Sequence, residues 1–357
     1  MTLPHSTDVF VIGGGPAGLA AAIAARRRGF DVTVADCAVP PIDKACGEGI
    51  MPDGLRAARS LGIDLEGSVS ARQFAGIRFC EGDSSAEARF PHGYGLGMRR
   101  TTLHRRMVEL AADAGVRLAW GIPVTGIGEE TVEAAGQTVA ARWIVGADGG
   151  HSRVRTWAGL DAHHHEICRF GFRAHYRLAP WAEFMELHWG DGCQLYVTPV
   201  ADDEICVALL SRDRRLRLAE ALPRFPAVAR RVAHLDALRP TAELGGVSAS
   251  RRLKSVWRGR VALVGDASGS VDAITGEGLC LLFQQSAALA AALEAGDLSL
   301  YQAAHRRIGR RPEIMADLML LLGRRNRLRR TVIRTMAAHP RLFAGMLAAH
   351  VGDFSSL

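Results

Sequence analysis

Apolar and polar positions follow two different patterns along this chain, and each pattern predicts a different kind of β-sheet. Two short apolar runs at residues 8–12 and 31–36 flank a glycine-rich turn and a small-residue helix over 19–28. This strand–helix–strand order predicts parallel strands that are buried on both faces. Residues 142–147 and the segment after Arg260 have the same apolar character, so we expect further buried strands there.

The middle of the chain has the second pattern. Between about residues 74 and 90, and again between 169 and 210, apolar and polar residues tend to alternate. A period of two predicts an antiparallel sheet with one exposed face. Helical spacing appears over 103–114 and dominates from about Leu298 onward. We therefore expect an α/β fold in which segments of the two sheets are interleaved along the chain.

Composition limits the classes of protein that this chain can represent. It has 357 residues, 48% hydrophobic and 23% charged, which suits a folded protein of about two domains. The formal net charge is +7, but all except two of the 44 basic residues are arginine. GC-rich coding produces that bias, so we expect no nucleic-acid partner. No uninterrupted apolar stretch of ~18 residues and no signal-peptide core are seen, which favours a cytoplasmic location.

The cysteine and histidine patterns predict neither a disulfide framework nor a metal site. Seven cysteines are scattered singly, without a C-x-x-C pair, and such a dispersed, odd set favours a reducing compartment. The histidine run at residues 163–165 would not direct consecutive side chains at one ion from a regular strand. We expect an exposed loop there.

A glycine fingerprint stands where a dinucleotide-binding turn is expected, after the first strand and at the start of the first helix. In G-x-G-x-x-G, the first glycine allows a tight turn, the second admits a pyrophosphate and the third packs the helix on the strand. An acid at the end of the second strand suits the hydroxyls of a ribose. The residues expected to contact the nucleotide are Gly13, Gly15, Pro16, Ala17, Gly18 and Asp36.

Three further motifs give the chain a family resemblance. Residues 146–155 resemble the D-G-x-x-S-x-x-R element of flavin hydroxylases, and residues 260–267 resemble the second flavin motif. Residues 100–107 are similar to the R-x-x-[LF]-D-x-x-L helix, with His104 in place of the usual Asp. The chain thus resembles the FAD-dependent superfamily of aromatic hydroxylases, flavin halogenases and geranylgeranyl reductases. The resemblance implies that the cofactor is FAD and that it contacts Arg100, Asp148, Gly149, Gly265 and Asp266.

The resemblance also implies a domain organisation. We expect a glutathione-reductase-type FAD-binding Rossmann domain with an inserted antiparallel β-sheet substrate domain and C-terminal helices. The predicted FAD domain comprises residues 1–72, 95–158 and 255–300, the substrate domain 73–94 and 159–254, and the helical region 301–357.

Two loops match the geranylgeranyl reductase branch most closely. Residues 275–278 read T-G-E-G, ahead of a helix over 279–293, and residues 44–50 resemble a K-x-C-G-G-G loop with Glu48 in place of a glycine. The resemblance implies that the start of this helix faces the flavin N1–C2=O edge. The alternative is that the T-G-E-G loop only caps the helix. The resemblance implies cofactor contacts from Lys44, Gly276, Gly278 and Leu279, and catalytic candidates Cys46, Glu48 and Glu277; Cys46 is equally well explained as a small buried residue.

The substrate motif departs from that branch. Its Y-x-W-x-F-P element reads Q-L-Y-V-T-P over residues 194–199 here, so Tyr196 is the one aromatic retained beside Pro199. With two rings lost, less aromatic surface remains for a long prenyl chain, and prenyl specificity does not carry over. We take Tyr196 and Pro199 as the candidate substrate contacts, and we expect a lipophilic or aromatic small molecule.

Three functions stay open at this point. With NAD(P)H as electron donor, the resemblance implies hydroxylation through a flavin C4a-hydroperoxide, which we favour slightly, or reduction of a C=C bond. A non-catalytic binding scaffold of the same fold is the third. The sequence leaves the oligomeric state open.

The C-terminal region offers two interpretations. Apolar residues at mostly helical spacing over 314–322 precede an arginine-rich segment over 324–334. These helices either contact an anionic membrane peripherally or pack on the FAD domain and leave a solvated arginine face.

Overall fold

The computed structural model describes residues 3–67, 70–232 and 241–351. Its strands are β1 Ser6–Ile12, β2 Val32–Asp36, β3 Gly49–Ile50, β4 Arg72–Phe74, β5 Gly76–Glu81, β6 Ser84–Arg89, β7 Gly95–Gly97, β8 Arg117–Trp120, β9 Val124–Ile127, β10 Thr131–Ala134, β11 Gln137–Gly146, β12 His163–Tyr176, β13 Phe184–Trp189, β14 Cys193–Ala201, β15 Glu204–Ser211, β16 Leu244–Leu253, β17 Trp257–Arg258 and β18 Val261–Leu263.

The helices connect and cover these strands. They are α1 Pro16–Arg26, α2 Pro52–Ser60, α3 Arg100–Asp113, α4 Arg153–Trp157, α5 Leu218–Ala221, α6 Pro226–Val232, α7 Gly278–Ala295, α8 Leu298–Arg324, α9 Asn326–Ala338 and α10 Pro340–Val351.

The first sheet is the parallel sheet that the apolar runs predict. Its parallel strands lie in the order β8-β2-β1-β11-β18, with β17 antiparallel at one edge and the β9–β10 hairpin attached to β11. β1 and β2 are almost fully buried, because α1 covers one of their faces. Chain segments far apart in sequence therefore end at one sheet edge, where parallel strands place their loops.

The second sheet has seven strands in the order β16-β12-β15-β14-β13-β5-β6. All neighbours are antiparallel except β13 and β5, which pair in parallel. A small third sheet, β3-β7-β4, packs against β14 of the second sheet. The α/β fold expected from the sequence is thus present, whereas the domain boundaries stay a prediction.

One expectation for the second sheet is wrong. The polar positions of β12 do not form an exposed face: Arg169, Arg173 and His175 are each at most 4% exposed. They alternate along the strand as predicted but point into the protein, where carboxylates balance their charge. The histidine run is also the start of β12 instead of a loop; the side chains of His165 and Glu166 lie outside the described part.

Helices α7 to α10 complete the fold. α7 is long and apolar enough to cross a membrane by length and composition, but 67% of it is buried inside the protein. It packs against α1, α2 and α8, as a core helix does. α8 packs on α7, and α9 and α10 then run over the second sheet, where both contact β6.

Candidate active site

A cavity of about 560 Å³ lies between the two large sheets. Its walls come from the turn after β1, the end of β2, the loop before β3, the start of α3, the turn after β11, the loops on either side of the short turn at 265–268, and the inner face of the second sheet. Apart from the face of the second sheet, each of these segments is a loop or an element end, and several of them are positioned by the strands of the parallel sheet.

The glycine turn is built for close backbone approach. Gly13 has φ +109°, and a Cβ there would lie 2.4 Å from the carbonyl oxygen of Ala147. A Cβ on Gly18 would lie 1.9 Å from the carbonyl oxygen of Gly13, so this glycine lets α1 pack on the turn. A Cβ on Gly15 would meet nothing within 4 Å and would project into open space. α1 begins here without a side-chain cap, leaving its first N–H groups at the cavity.

Asp36 and His104 brace this turn from two sides. Asp36 accepts hydrogen bonds from the backbone N–H of Gly14 at 2.6 Å and of Ala38 at 2.8 Å. His104 is fully buried, with Nδ1 accepting from the N–H of Ile42 and Nε2 2.9 Å from the carbonyl oxygen of Gly14. Burial lowers the pKa of His104, which suits a neutral ring donating from Nε2. The unusual histidine therefore fastens the turn.

Arg100 brings an unsatisfied cation to the cavity. Its side chain is 7% exposed, and its buried Nη1 has no hydrogen-bond partner among the described residues. Burial lowers the pKa of Arg100. A buried guanidinium with an open donor is costly unless an anion completes it, so this position fits an anionic ligand.

The D-G-x-x-S-x-x-R element forms a closed local network. Asp148 accepts from Ser152 and from the first N–H groups of α4 at residues 153 and 154. Arg155 is 4% exposed and contacts Asp161 and the carbonyl oxygen of Ala267. Asp148 and Gly149 line the cavity. The Asp148 carboxylate is engaged within its own turn, and the Arg155 guanidinium holds that turn to the second flavin motif.

That second motif contacts the first. A Cβ on Gly265 would lie 2.5 Å from Cβ of Ala17, so the motif packs directly on the start of α1. Asp266 carries a carboxylate that is 41% exposed on its side chain, and Lys44 Nζ lies 2.6 Å from its Oδ2. This exposed pair joins two residues that are 222 positions apart.

The start of α7 also faces the cavity. Gly276 has φ +69°, and α7 begins at Gly278 with no side-chain cap from Glu277. Gly276, Gly278 and Leu279 line the cavity, so uncapped N–H groups of an 18-residue helix are directed toward it. Such an end favours a group that carries partial negative charge.

The loop before β3 places a buried acid in the cavity wall. Glu48 adopts φ +61°, a left-handed conformation that glycine adopts without strain; this accounts for a glycine at this position in the K-x-C-G-G-G loop. Its Oε1 accepts from the N–H of Arg100 at 2.9 Å, and its Oε2 lies 2.7 Å from Nε2 of His175. Arg173 Nε lies 3.4 Å from Oε1. Glu48 is thus held by two cationic or proton-bearing groups of β12.

Two cysteines lie beside this acid. Burial raises the pKa of both Cys46 and Cys206, so both are thiols. Sγ of Cys46 accepts from the N–H of Glu48 at 3.3 Å. Ligand atoms of Glu48, His175 and Cys206 lie within 4.8 Å of one another, which resembles a metal-binding set, yet the adjacent Arg173 already supplies positive charge to the carboxylate.

Glu277 lines the cavity but directs its carboxyl group toward α10. Burial, with Asp53 nearby, raises the pKa of Glu277 well above its usual range, which favours the neutral carboxyl group. Its Oε1 lies 3.3 Å from Nε2 of His350, and burial lowers the pKa of that histidine to about 4. The two groups therefore form a neutral contact that ties the start of α7 to α10.

The altered substrate motif braces both loops that border the cavity. Gln194 accepts from Arg169, which pairs with Asp272 at 2.9 Å. The Tyr196 hydroxyl donates to the carbonyl oxygen of Ile274 at 2.6 Å, and the Thr198 hydroxyl donates to the carbonyl oxygen of Gly47 at 2.7 Å. Polar groups thus replace two of the rings and hold the loops in place.

Most of the residues singled out from the sequence come together at this cavity. Its walls include Gly13, Gly15, Pro16, Ala17, Asp36, Lys44, Cys46, Glu48, Arg100, Asp148, Gly149, Tyr196, Gly265, Asp266, Gly276, Glu277, Gly278 and Leu279. Two of the set lie outside the lining: Gly18 packs behind the turn, and Pro199 is buried in β14, where its carbonyl oxygen faces Gly97.

Sequence reasoning missed the partners contributed by β12. Arg169, Arg173 and His175 occupy alternate positions of one strand, and this spacing was a usable signal for a shared face. The alternation alone did not reveal that the face is buried against the loop before β3 and the loop before α7.

Comparison with known proteins assigns the family. The family model described as an FAD binding domain matches residues 6–217, more than half of the chain. A menaquinone reductase of Mycobacterium tuberculosis is 28% identical over 335 residues, covering 84% of this chain and 79% of that protein. Digeranylgeranylglycerophospholipid reductase 2 of Methanosphaera stadtmanae is 25% identical over 297 residues, covering 76% and 74%.

Two further comparisons extend this picture. A rifampicin monooxygenase of Rhodococcus hoagii is 31% identical over 157 residues, covering 42% of this chain and 33% of that protein. A triple mutant of the flavin-dependent brominase Bmp2 superposes with a TM-score of 0.80 at 17% identity, covering 98% of this chain and 96% of that one, which shows the shared fold. This chain therefore belongs to the FAD binding domain family and is an FAD-dependent oxidoreductase.

Proposed function

We propose that this protein is an FAD-dependent reductase that adds two hydrogens across a carbon–carbon double bond of a lipophilic small molecule. Such a reaction requires a hydride and a proton at neighbouring carbons. One observation carries the proposal: the buried acid Glu48 lines the cavity with its Oε2 only 2.7 Å from Nε2 of His175. This pair can hold a proton at the cavity wall and give it up.

The relatives support reduction over the other chemistries. Two relatives that align with most of this chain are named as reductases, one of menaquinone and one of a digeranylgeranyl lipid. Both names describe lipophilic molecules. The relative named as a monooxygenase aligns with 42% of the chain.

FAD fits the cavity by the chemistry of its donors. The uncapped starts of α1 and α7 and the open donor of Arg100 suit the diphosphate and the electron-rich flavin edge. When bound and reduced, FAD supplies a hydride equivalent. We propose that it is held by Gly13, Gly15, Pro16, Ala17, Gly18, Asp36, Lys44, Arg100, Asp148, Gly149, Gly265, Asp266, Gly276, Gly278 and Leu279.

The protein's own contribution is the proton. We propose that Glu48 donates it from its carboxyl group to the substrate carbon, as a positioned general acid. His175 then returns a proton to Glu48, and its Nδ1 lies 3.0 Å from Oγ1 of the half-buried Thr241, which opens a path toward solvent. Arg173 orients the carboxylate through its contact with Oε1. The Cys46 thiol is an alternative donor, because burial keeps it protonated.

The remaining candidates take supporting roles in this proposal. Tyr196 positions the loop before α7 and forms part of the substrate wall. Glu277 is a positioning residue, because its carboxyl group contacts His350. Pro199 shapes the wall from behind. We further propose that NAD(P)H reduces the flavin at the cavity mouth, where exposed Arg153 stacks on Trp157 with its Cζ 4.7 Å from the ring centre.

The deciding experiment separates reduction from hydroxylation. The FAD-loaded protein, reduced by NADPH or NADH, is incubated with a polyprenyl quinone with and without oxygen. The product is then reoxidised to its quinone form, so that reduction of the ring leaves no mass change, and is analysed by mass spectrometry. The proposal predicts a product that gains two hydrogens and forms without oxygen. A product that forms only with oxygen and contains one oxygen atom from it would assign hydroxylation instead.

Hydroxylation is the second candidate, and one comparison favours it. A rifampicin monooxygenase is 31% identical over 157 residues. The retained D-G-x-x-S-x-x-R element fits it as well. We rank hydroxylation second because Asp148 and Arg155 are engaged within the turn, whereas Glu48 faces the cavity.

A further inference from the structure

The positive charge of this protein is concentrated in its last three helices. Residues 298–351 contain eleven arginines against two acids, Glu313 and Asp317, a net charge of +9. Residues 1–297 contain 33 basic and 34 acidic residues, a net charge of −1. A coding bias toward arginine would not separate the charges in this way, so the segregation needs a physical account.

Most of these arginines face solvent. Ten of the eleven are exposed, and the exception, Arg329, is 3% exposed and pairs with Glu81 together with Arg330. Of the two acids, Glu313 pairs with Arg252. The outer surface of α8 to α10 is therefore strongly positive and holds few compensating carboxylates among the described residues.

An apolar stripe crosses the same surface. Ile314, Leu318 and Leu321 are 61%, 40% and 44% exposed, and their spacing of four and three residues places them on one face of α8. Leu328 of α9 and Leu342 of α10 are 40% and 56% exposed. Large apolar residues exposed in a row are unusual on a soluble surface.

Arginines stand at both ends of this stripe. Arg310 and Arg311 precede Ile314, and Arg324 and Arg325 follow Leu321. An apolar face flanked by long basic side chains is the pattern of a helix that lies in a lipid–water interface. A nucleic acid would match the arginines but would leave the apolar stripe between them without a partner.

The inward side of α8, next to the stripe, covers a second, apolar cavity of about 40 Å³. Met315 and Met319 line it from α8, and Phe343, Met346 and Leu347 line it from α10. Met185, Tyr196 and Thr275 line both this cavity and the large one. Flexible methionines can repack around an apolar chain, so an apolar connection runs from beneath the stripe to the candidate active site.

We propose that the outer surface of α8 to α10 docks on an anionic lipid bilayer, with Ile314, Leu318 and Leu321 entering the interface and the arginines binding lipid headgroups. A lipophilic substrate then passes from the bilayer between α8 and α10 into the methionine-lined cavity; this second step rests on the proposed function. The docking itself does not, and it is measured without turnover.

Vesicle sedimentation of the FAD-loaded protein tests the docking. Vesicles of phosphatidylcholine with 30% phosphatidylglycerol should sediment the protein, whereas pure phosphatidylcholine vesicles should not, and 1 M salt should weaken binding by screening the arginines (Debye length ~3 Å at that ionic strength). Ile314→Gln/Leu318→Gln/Leu321→Gln should reduce the partition coefficient at least tenfold. Its control, Ile314→Met/Leu318→Met/Leu321→Met, keeps the surface apolar and should bind as the parent does.

A second pair of variants tests the charge. Arg310→Gln/Arg311→Gln should reduce the partition coefficient several-fold, whereas Arg214→Gln/Arg215→Gln, an exposed pair in the turn after β15, should not. No binding to anionic vesicles, or equal loss in both pairs, would overturn the proposal. Light scattering could also overturn it: if the parent is a dimer and the glutamine triple variant is a monomer, a second copy of the chain covers the stripe. DNA binding that the stripe variants leave unchanged would likewise contradict lipid docking.

Turnover separates this inference from the proposed function. With a short-chain substrate in detergent, the stripe variants should react at the parent rate, and with vesicle-embedded substrate they should react at least tenfold more slowly. If no substrate is reduced but vesicle binding behaves as described, the docking surface stands and the proposed function fails. If the stripe variants lose both activities equally, the entry path is wrong.

Discussion

The two sides of the large cavity use different parts of the chain to present chemistry. On the cofactor side, backbone groups of the glycine turn and of the starts of α1 and α7 face the cavity. On the sheet side, charged and polar side chains of β12 and β14 either face the cavity or hold the loops that line it. A backbone-lined site depends on glycine and helix position, whereas a side-chain site depends on partners that are distant in sequence.

This difference explains which changes each side tolerates. A glycine turn is limited by space, because a single Cβ at Gly18 would overlap the carbonyl oxygen of Gly13. The Glu48 cluster is limited by charge, because removing one member of a buried charged group leaves the others unpaired. We therefore expect cofactor binding and turnover to respond to different substitutions.

The largest effect is expected at Glu48. Glu48→Gln keeps the shape and the contact to the N–H of Arg100 but removes the acidic proton, so turnover should fall by about 10²- to 10⁴-fold. FAD content, measured by absorbance, should stay at the parent level. The exposed control Glu183→Gln should leave both unchanged, and parent-like turnover of Glu48→Gln would remove this acid from the mechanism.

The second largest effect is expected from acid, which should lower the protein's stability through a buried histidine on the cofactor side. Burial lowers the pKa of His305, which contacts Ser268 directly after the second flavin motif, from 6.5 to about 4. Because the folded protein holds this imidazole neutral, the unfolded chain takes up the extra proton, and stability falls as pH drops from 6.5 toward 4. The loss should approach roughly 3 kcal/mol, at 1.36 kcal/mol per pKa unit.

Urea unfolding at several pH values measures this loss of stability in acid. His305→Gln should flatten the dependence between pH 6.5 and 4, and the exposed control His339→Gln should keep it. An unchanged slope in His305→Gln would show that other groups cause the acid sensitivity.

A smaller, selective effect is expected at Gly15. Because a Cβ there meets no protein atom within 4 Å, Gly15→Ala should fold normally but intrude on the cofactor. Its Kd for FAD should rise on the order of tenfold, about 1.4 kcal/mol, with unchanged stability of the cofactor-free protein. Gly345→Ala, at another open position, is the control; equal FAD affinity in both variants would contradict this role for Gly15.

The smallest effect is expected at Tyr196. Tyr196→Phe removes the hydrogen bond to the carbonyl oxygen of Ile274 and should cost about 1 kcal/mol of unfolding free energy. Because this bond holds the loop before α7, KM should rise more than kcat falls. Tyr94→Phe, whose hydroxyl bonds Glu66 away from the cavity, should change stability without changing KM.

The cofactor side could be predicted from sequence because its signals are local. Spacing relative to the predicted strands and helices identifies the fingerprint glycines, Asp36 and the loop at 275–278. All of these except Gly18 line the cavity. Even the unexpected His104 occupies a recognisable motif position, although its bond to Gly14 required the fold.

The sheet side could not be predicted to the same extent, because its contacts span the chain. Glu48 and His175 are 127 residues apart, and Arg173 and Asp43 are 130 apart. Alternating polarity in β12 predicted a shared face, but polar residues normally face water. Only the folded structure shows that carboxylates from other segments pack against this face of β12.

Solvent deuterium incorporation tests the central claim most directly. The FAD-loaded protein is reduced anaerobically and mixed with one equivalent of a lipophilic alkene substrate in D₂O, and the product is analysed by NMR. At the carbon that Glu48 protonates, the account predicts solvent deuterium in a single configuration, formed rapidly by the parent and at least 10²-fold more slowly by Glu48→Gln. Deuterium in both configurations, a Glu48→Gln rate equal to the parent rate, or no product without oxygen would contradict it.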